Sequence, residues 1–180
     1  MIPADINRIL ITREQISERV KELADQISYD YRGRKLHIAG ILNGSFIFLA
    51  DLVRCLSIPV EIDFISFSSY GGSRDSCGSI NIRMDLNSDV RNKDVLIVDD
   101  IIDTGFTLSR SGIIDRLVSN GAESVKICTL LNKPSRRMVE IVIDYFGFTI
   151  PDEFVVGYGM DYSGLHRNLP YIAVINSLVE

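Results

Sequence analysis

Cysteine is scarce: Cys55, Cys77 and Cys128 are far apart, odd in number, and form no CxxC or Cys/His cluster. A zinc site or disulfide framework is therefore not expected, and a reducing cytoplasm is the default compartment. No apolar run reaches the ~18 residues of a membrane span. The opening MIPADINRILITREQ lacks the basic and apolar regions of a signal peptide. There is no long basic run and the net charge is −5, so nucleic-acid binding has no electrostatic footprint. No internal repeat or interdomain linker appears.

What remains is an ordinary globular composition: 46% hydrophobic and 24% charged over 180 residues. A chain of this length buries about 70% of its unfolded surface. Thr12 with Gln15 reads as a capping box, and Ile16, Val20, Leu23 and Ile27 follow at helical spacing. KLHIAGIL reads as a buried strand, turned by Asn43-Gly44-Ser45 into a helix carrying Phe46, Leu49, Ala50 and Val53. VEIDFISF and INIRMDL alternate as strands, and DVLIVDD is the most apolar one. One helix carrying Leu108, Ile113, Ile114, Leu117 and Val118 is expected next, stopped by Asn120-Gly121-Ala122. VKICTLLN, EFVVGYG and YIAVI read as later strands. Strands alternating with helices predict an α/β fold, a mostly parallel twisted sheet flanked by helices. Ser68 to Ser79, SSYGGSRDSCGS, is small and polar enough to expect mobility.

The stretch VLIVDDIIDTGFTLSR, Val95 to Arg110, runs an apolar strand into Asp99, Asp100 and Asp103. Two unit charges 4 Å apart repel by roughly 4 kcal/mol at an effective dielectric of ~20. Such a cluster needs either water or something positive. Ligands of open parallel sheets bind beyond the carboxyl ends of the strands. Thr104-Gly105-Phe106-Thr107 then opens a helix, whose free N–H groups and dipole favour an anion. Carboxylates beside an anion cradle suit a ligand with phosphate and hydroxyls, or magnesium, which shares oxygen ligands with phosphates. The plain alternative is a solvated loop in which Asp103 or Thr104 caps the helix.

The whole string, strand-DDxxDTGxT-helix, resembles the phosphoribosyl diphosphate motif of the type I phosphoribosyltransferases. GILNGSFIFLADL (Gly40 to Leu52) is similar to the diphosphate loop of the hypoxanthine-guanine branch, and SSYG to the start of its flexible loop. LLNKP (Leu130 to Pro134) and IPDEFVVGYGMDYSGLHRNLPYIAVI (Ile150 to Ile175) resemble its purine-binding segments. The resemblance implies the type I phosphoribosyltransferase fold: one domain over 1–180, with a core of about 35–145 and a small hood from about 1–12 and 146–180. It implies phosphoribosyl transfer to hypoxanthine and/or guanine, with Mg2+. It also implies small-molecule substrates and a homodimer or homotetramer. Two alternatives stay open: a xanthine-preferring or hypoxanthine-only enzyme, and a regulator that keeps the fold.

By the same resemblance, Asp103 is the catalytic acid or base at the purine's N7. Asp99 and Asp100 meet the ribose hydroxyls, directly or through magnesium, and Thr104, Gly105, Phe106 and Thr107 cradle the 5′-phosphate. Leu42, Asn43, Gly44 and Arg167 belong to the diphosphate site; the Leu42–Asn43 peptide occupies a place that is often cis in the family. Lys133 donates to the purine's 6-oxo group, Phe154 stacks on the ring and Val155 offers backbone. Asp161 joins the purine and magnesium sites, and Ser69-Tyr70 begin the flexible loop. Taken singly, Lys133 reads as a surface lysine, Phe154 as core, Asp161 as a turn residue and Arg167 as a solvated charge. Asp99 stands where many members carry Glu, and Asn43 where a basic residue is common. His37 and His166 receive no catalytic role.

Overall fold

A computed structural model describes residues 3, 5–69 and 80–175. The polar stretch from Tyr70 to Ser79 lies outside the described residues. Strand β1 (Ile6–Ile11) leads into helix α1 (Arg13–Asp30). The capping box is present: Thr12 N–H donates to Gln15 Oε1 at 2.8 Å, and Gln15 N–H donates to Thr12 Oγ1 at 3.3 Å. The stripe Ile16, Val20, Leu23 and Ile27 is buried.

Six strands follow in one sheet: β2 (Leu36–Leu42), β3 (Val60–Ser69), β4 (Ile80–Met84), β5 (Asp94–Ile102), β6 (Ser124–Asn132) and β7 (Tyr145–Thr149). Their order is β4-β3-β2-β5-β6-β7, parallel except for the antiparallel β3–β4 pair. The alternation of strand side chains splits the core in two. Leu96 and Val98 pack with residues of α1 and helix α2 (Phe46–Cys55) on one face. Val95 and Ile97 pack on the other with Leu108, Ile113 and Leu117. Burying such side chains contributes about 1.5–3 kcal/mol each, so β5, apolar on both faces, holds the sheet's centre. A second sheet, β1-β9-β8, joins β1 to β8 (Val155–Val156) and β9 (Ile172–Ile175).

Three expectations need correction. Helix α2 buries Phe48, Leu49 and Leu52, while Phe46 is exposed and Ala50 faces solvent. Its sequence is apolar nearly all round, so contact with β2 decided the face. A Cβ on Gly40 would lie 2.5 Å from Leu49 Cδ2, which shows how closely the helix sits on the strand. The single helix expected after β5 is two: α3 (Phe106–Ser111) and α4 (Ile113–Ser119). Gly112, at φ 64°, breaks it, and Ser111 Oγ donates to the Leu108 carbonyl at the break. Val118 is exposed as a result. Strands β1 and β7 escaped the sequence reading; Gly147 lets β7 approach β6, because a Cβ there would lie 2.5 Å from the Leu130 carbonyl oxygen. The glycine stop stands: Gly121 is at φ 89° and Ala122 N–H donates to Leu117 O.

From β2 the chain moves outward through β3 and β4, and from β5 it moves the other way through β6 and β7. The switch point therefore lies between β2 and β5. Such a point leaves a crevice at the strands' carboxyl ends, where Asn43-Gly44 and Asp103-Thr104 emerge.

Candidate active site

β5 runs through its carboxylates to Ile102, so Asp99 and Asp100 belong to the strand and Asp103 is the first residue beyond it. Asp99 is buried, and its Oδ1 accepts the Asp100 N–H at 3.0 Å. Burial, with Asp100's charge beside it, pushes the Asp99 carboxyl well above the usual range. Burial raises Asp100 also, while the charge of Arg167 pulls the other way. Asp103 is half-buried, and its Oδ1 is a shielded acceptor with no hydrogen-bond partner among the described residues.

From β2, the Leu42–Asn43 peptide is cis, and Gly44 follows directly against Asp100. A Cβ on Gly44 would lie 2.0 Å from Asp100 Oδ2, and a Cβ on Gly159 would lie 2.1 Å from the Gly44 carbonyl oxygen. The Gly44 backbone thus packs directly on the Asp100 carboxylate on one side and on the Gly159 backbone on the other. Arg167 ties the Gly159 segment together: its Nη1 donates to Gly159 O at 2.6 Å, and its Nη2 lies 2.7 Å from Asp161 Oδ1. The Gly164 N–H donates to Asp161 Oδ2 at 2.7 Å.

From β6, Lys133 is only 4% exposed. Its N–H donates to Ile102 O, and its Nζ lies 3.2 Å from Asp152 Oδ1. Phe154, 55% exposed, meets the Tyr162 ring edge-on at 5.6 Å between centroids. Its ring is therefore bare rather than part of the core.

These pieces enclose a cleft of about 400 Å³, lined by Asn43, Gly44, Asp100, Asp103, Lys133, Phe154, Val155, Asp161 and Arg167. Leu42 and Asp99 do not line it; Asp99 lies behind the wall that Asp100 forms. Thr104, Gly105, Phe106 and Thr107 make the adjoining turn, also outside the lining. Gly105 is at φ 83°, and a Cβ there would lie 2.9 Å from Ile141 Cδ1. Thr104 Oγ1 accepts the Phe106 N–H at 3.3 Å. Because α3 has six residues, free N–H groups, more than a helix dipole, are what this turn offers an anion. Ser69 ends β3, paired with Ile80; Tyr70 lies outside the described residues. His37 is fully buried, and His166 pairs with Asp5 at 2.8 Å, so neither reaches the cleft.

Ile101, Arg136, Glu153 and Met160 also line the cleft and were not found from sequence. Arg137 holds the loop from behind: its Nε donates to Asp103 O at 3.0 Å, and its Nη2 to Ile102 O at 3.1 Å and Asn132 Oδ1 at 2.7 Å. The available signal was Arg136-Arg137 just after a strand's carboxyl end.

Residues 10–163 match the phosphoribosyl transferase domain family. The chain is 47% identical to a hypoxanthine-guanine phosphoribosyltransferase of Streptococcus pneumoniae, over 99% of this chain and 98% of that one. It is also 47% identical to one from Staphylococcus aureus, over 95% and 94%. The fold is similar to the crystal structure of a Staphylococcus aureus hypoxanthine phosphoribosyltransferase, with TM-score 0.90 at 46% identity, covering 96% of this chain and 92% of that one. With matches of this extent beside the cleft described above, the chain belongs to the hypoxanthine-guanine phosphoribosyltransferase family.

Proposed function

We propose that this enzyme, a purine-salvage phosphoribosyltransferase, moves the phosphoribosyl group of 5-phosphoribosyl 1-diphosphate onto hypoxanthine and/or guanine. The products are the nucleoside monophosphate and diphosphate. One observation carries the reading: a shielded carboxylate, a buried ammonium and a bare aromatic ring converge on a single cleft at the sheet's switch point. That set matches a flat heterocycle with an oxo group and a ring proton.

The base stacks on Phe154, accepts from Lys133 at its 6-oxo group, and meets the Val155 backbone. As N9 bonds to the anomeric carbon, the bond to diphosphate breaks and N7 gives its proton to the Asp103 carboxylate. Positive charge builds on the ribose during the step, and the Asp100 carboxylate, with Asp99 behind it, stabilises that charge electrostatically. Arg167 and the Asn43-Gly44 backbone hold the diphosphate. The 104–107 turn holds the 5′-phosphate through its N–H groups and threonine hydroxyls.

Magnesium fits this donor set. Among the described residues, no three acidic, histidine or cysteine groups form a cage, and magnesium favours one or two carboxylates completed by substrate phosphates and water. Asp100 and Asp161 would hold it from the cleft wall, with Asp99 supporting Asp100. When bound, the ion neutralises the departing diphosphate.

The test is a radiolabel assay of hypoxanthine, guanine, xanthine and adenine with phosphoribosyl diphosphate and magnesium. Turnover of hypoxanthine or guanine supports the proposal. No turnover of any base would overturn it and favour a regulator on the same fold.

A further inference from the structure

Lys133 presents a problem in physical chemistry. Its ammonium sits on a side chain only 5% exposed, and a buried charge without a counter-charge is strongly destabilising. Among the described residues its ion-pair partner is Asp152, with Nζ 3.2 Å from Oδ1. Asp152 itself is 57% exposed on its side chain, so water solvates its other oxygen and its own burial costs little. An ammonium has three donors and no acceptor; one facing Asp152 leaves others for the cleft.

Two further contacts extend this pair. The Asp152 Oδ1 also lies 3.9 Å from Arg136 Nε, and that Nε lies 3.7 Å from Asp103 Oδ1. Asp152 stands two residues before Phe154, in a turn closed by Glu153 N–H donating to Pro151 O at 2.9 Å. One carboxylate therefore sets the ammonium at a fixed place relative to both the stacking ring and the carboxylate at N7.

We infer that Asp152 is a positioning residue for base selection: it anchors Lys133 so that the ammonium reads the purine's 6-position. This rests on the proposed function, since it assigns no new reaction. Without the anchor the ammonium turns toward solvent, and the donor that separates a 6-oxo from a 6-amino purine is lost.

The experiment compares the wild type, Asp152→Asn, Asp152→Glu, Lys133→Gln and the Asp152→Asn/Lys133→Gln double variant in steady-state kinetics with hypoxanthine, adenine and phosphoribosyl diphosphate. A charged hydrogen bond of ordinary strength corresponds to about 10- to 100-fold. Asp152→Asn should raise KM for hypoxanthine by that factor and narrow the hypoxanthine-to-adenine ratio. KM for phosphoribosyl diphosphate should stay near wild type, Asp152→Asn should melt lower because the buried ammonium loses its counter-charge, and Asp152→Glu should recover part of both losses. In the Lys133→Gln background the Asp152→Asn change should have no further effect. An unchanged hypoxanthine KM, an equal loss for both substrates, or an additive double variant would each overturn the inference. A wild type that does not turn over hypoxanthine would instead overturn the proposed function, so the two failures are distinguishable.

Discussion

Gly44→Ala tests how the site is built more sharply than any charge change. The residue needs no left-handed backbone, so alanine is acceptable to the local chain. The obstacle is Asp100: the added Cβ would lie 2.0 Å from Oδ2, 2.4 Å from Cγ and 2.6 Å from Oδ1. Real Cβ atoms essentially never approach closer than 3.0 Å, so the loop or the carboxylate must move by about 1 Å. Asp100 has little room to yield, because Asp99 lies behind it and β5 stays paired with β6 on either side of it, at Asp99 and Ile101. The 43–45 loop meets the Gly159 segment in the opposite direction. A displacement of about 1 Å in a positioning group costs on the order of 100-fold in rate, whereas overpacking a core costs about 1–3 kcal/mol in stability. Gly44→Ala should therefore fold, melt a few degrees lower, and lose about 100-fold in kcat/KM for phosphoribosyl diphosphate. Steady-state kinetics beside a thermal melt reads both. Turnover within threefold of wild type would refute the claim that Gly44 is there to admit Asp100.

Asp103→Asn keeps the shape but removes the proton acceptor, so kcat should fall by about 10²–10⁴ while phosphoribosyl diphosphate titrates nearly as before; an unchanged kcat removes Asp103 from the chemistry. Adenine should be poorer than hypoxanthine by roughly 10⁴, because Lys133 has donors only; comparable efficiencies would contradict the purine pocket. For Asp99 the sign follows from its raised value. The folded state keeps the proton to higher pH than the unfolded chain, so this group's stabilising contribution is complete below the ordinary carboxylate value of 3.8 and is lost as pH rises through the folded value. Asp99→Asn retains an acceptor for the Asp100 N–H and cannot ionise. Its melting temperature in the absence of ligands should gain on wild type as pH rises above the ordinary carboxylate value of 3.8, and parallel curves would show that Asp99 carries no such penalty.

Period-2 strands and the 3.6-residue stripe of α1 were legible because local geometry alone creates those patterns. Thr12 and Gln15 cap their own helix, and Val95–Val98 is apolar enough to be central in any sheet. The acidic string at 99–107 was legible because its donors and acceptors are consecutive in one chain. Tertiary contact decided the rest. The face of α2 was set by Leu49 settling over Gly40, which no periodicity in FIFLADLV encodes. The break at Gly112 depended on how α3 and α4 each found the sheet. β1 is short and pairs with β9 near the far end of the chain, and β7 is five residues long with its approach to β6 set by the bare Gly147. Distance in sequence hid Arg136 and Asp152: a charge 33 residues past Asp103 and another 19 past Lys133 become neighbours only when β5, β6 and the segment before β8 end side by side. A sequence lists which charges exist, but the pairing energy depends on separations that only the folded sheet sets.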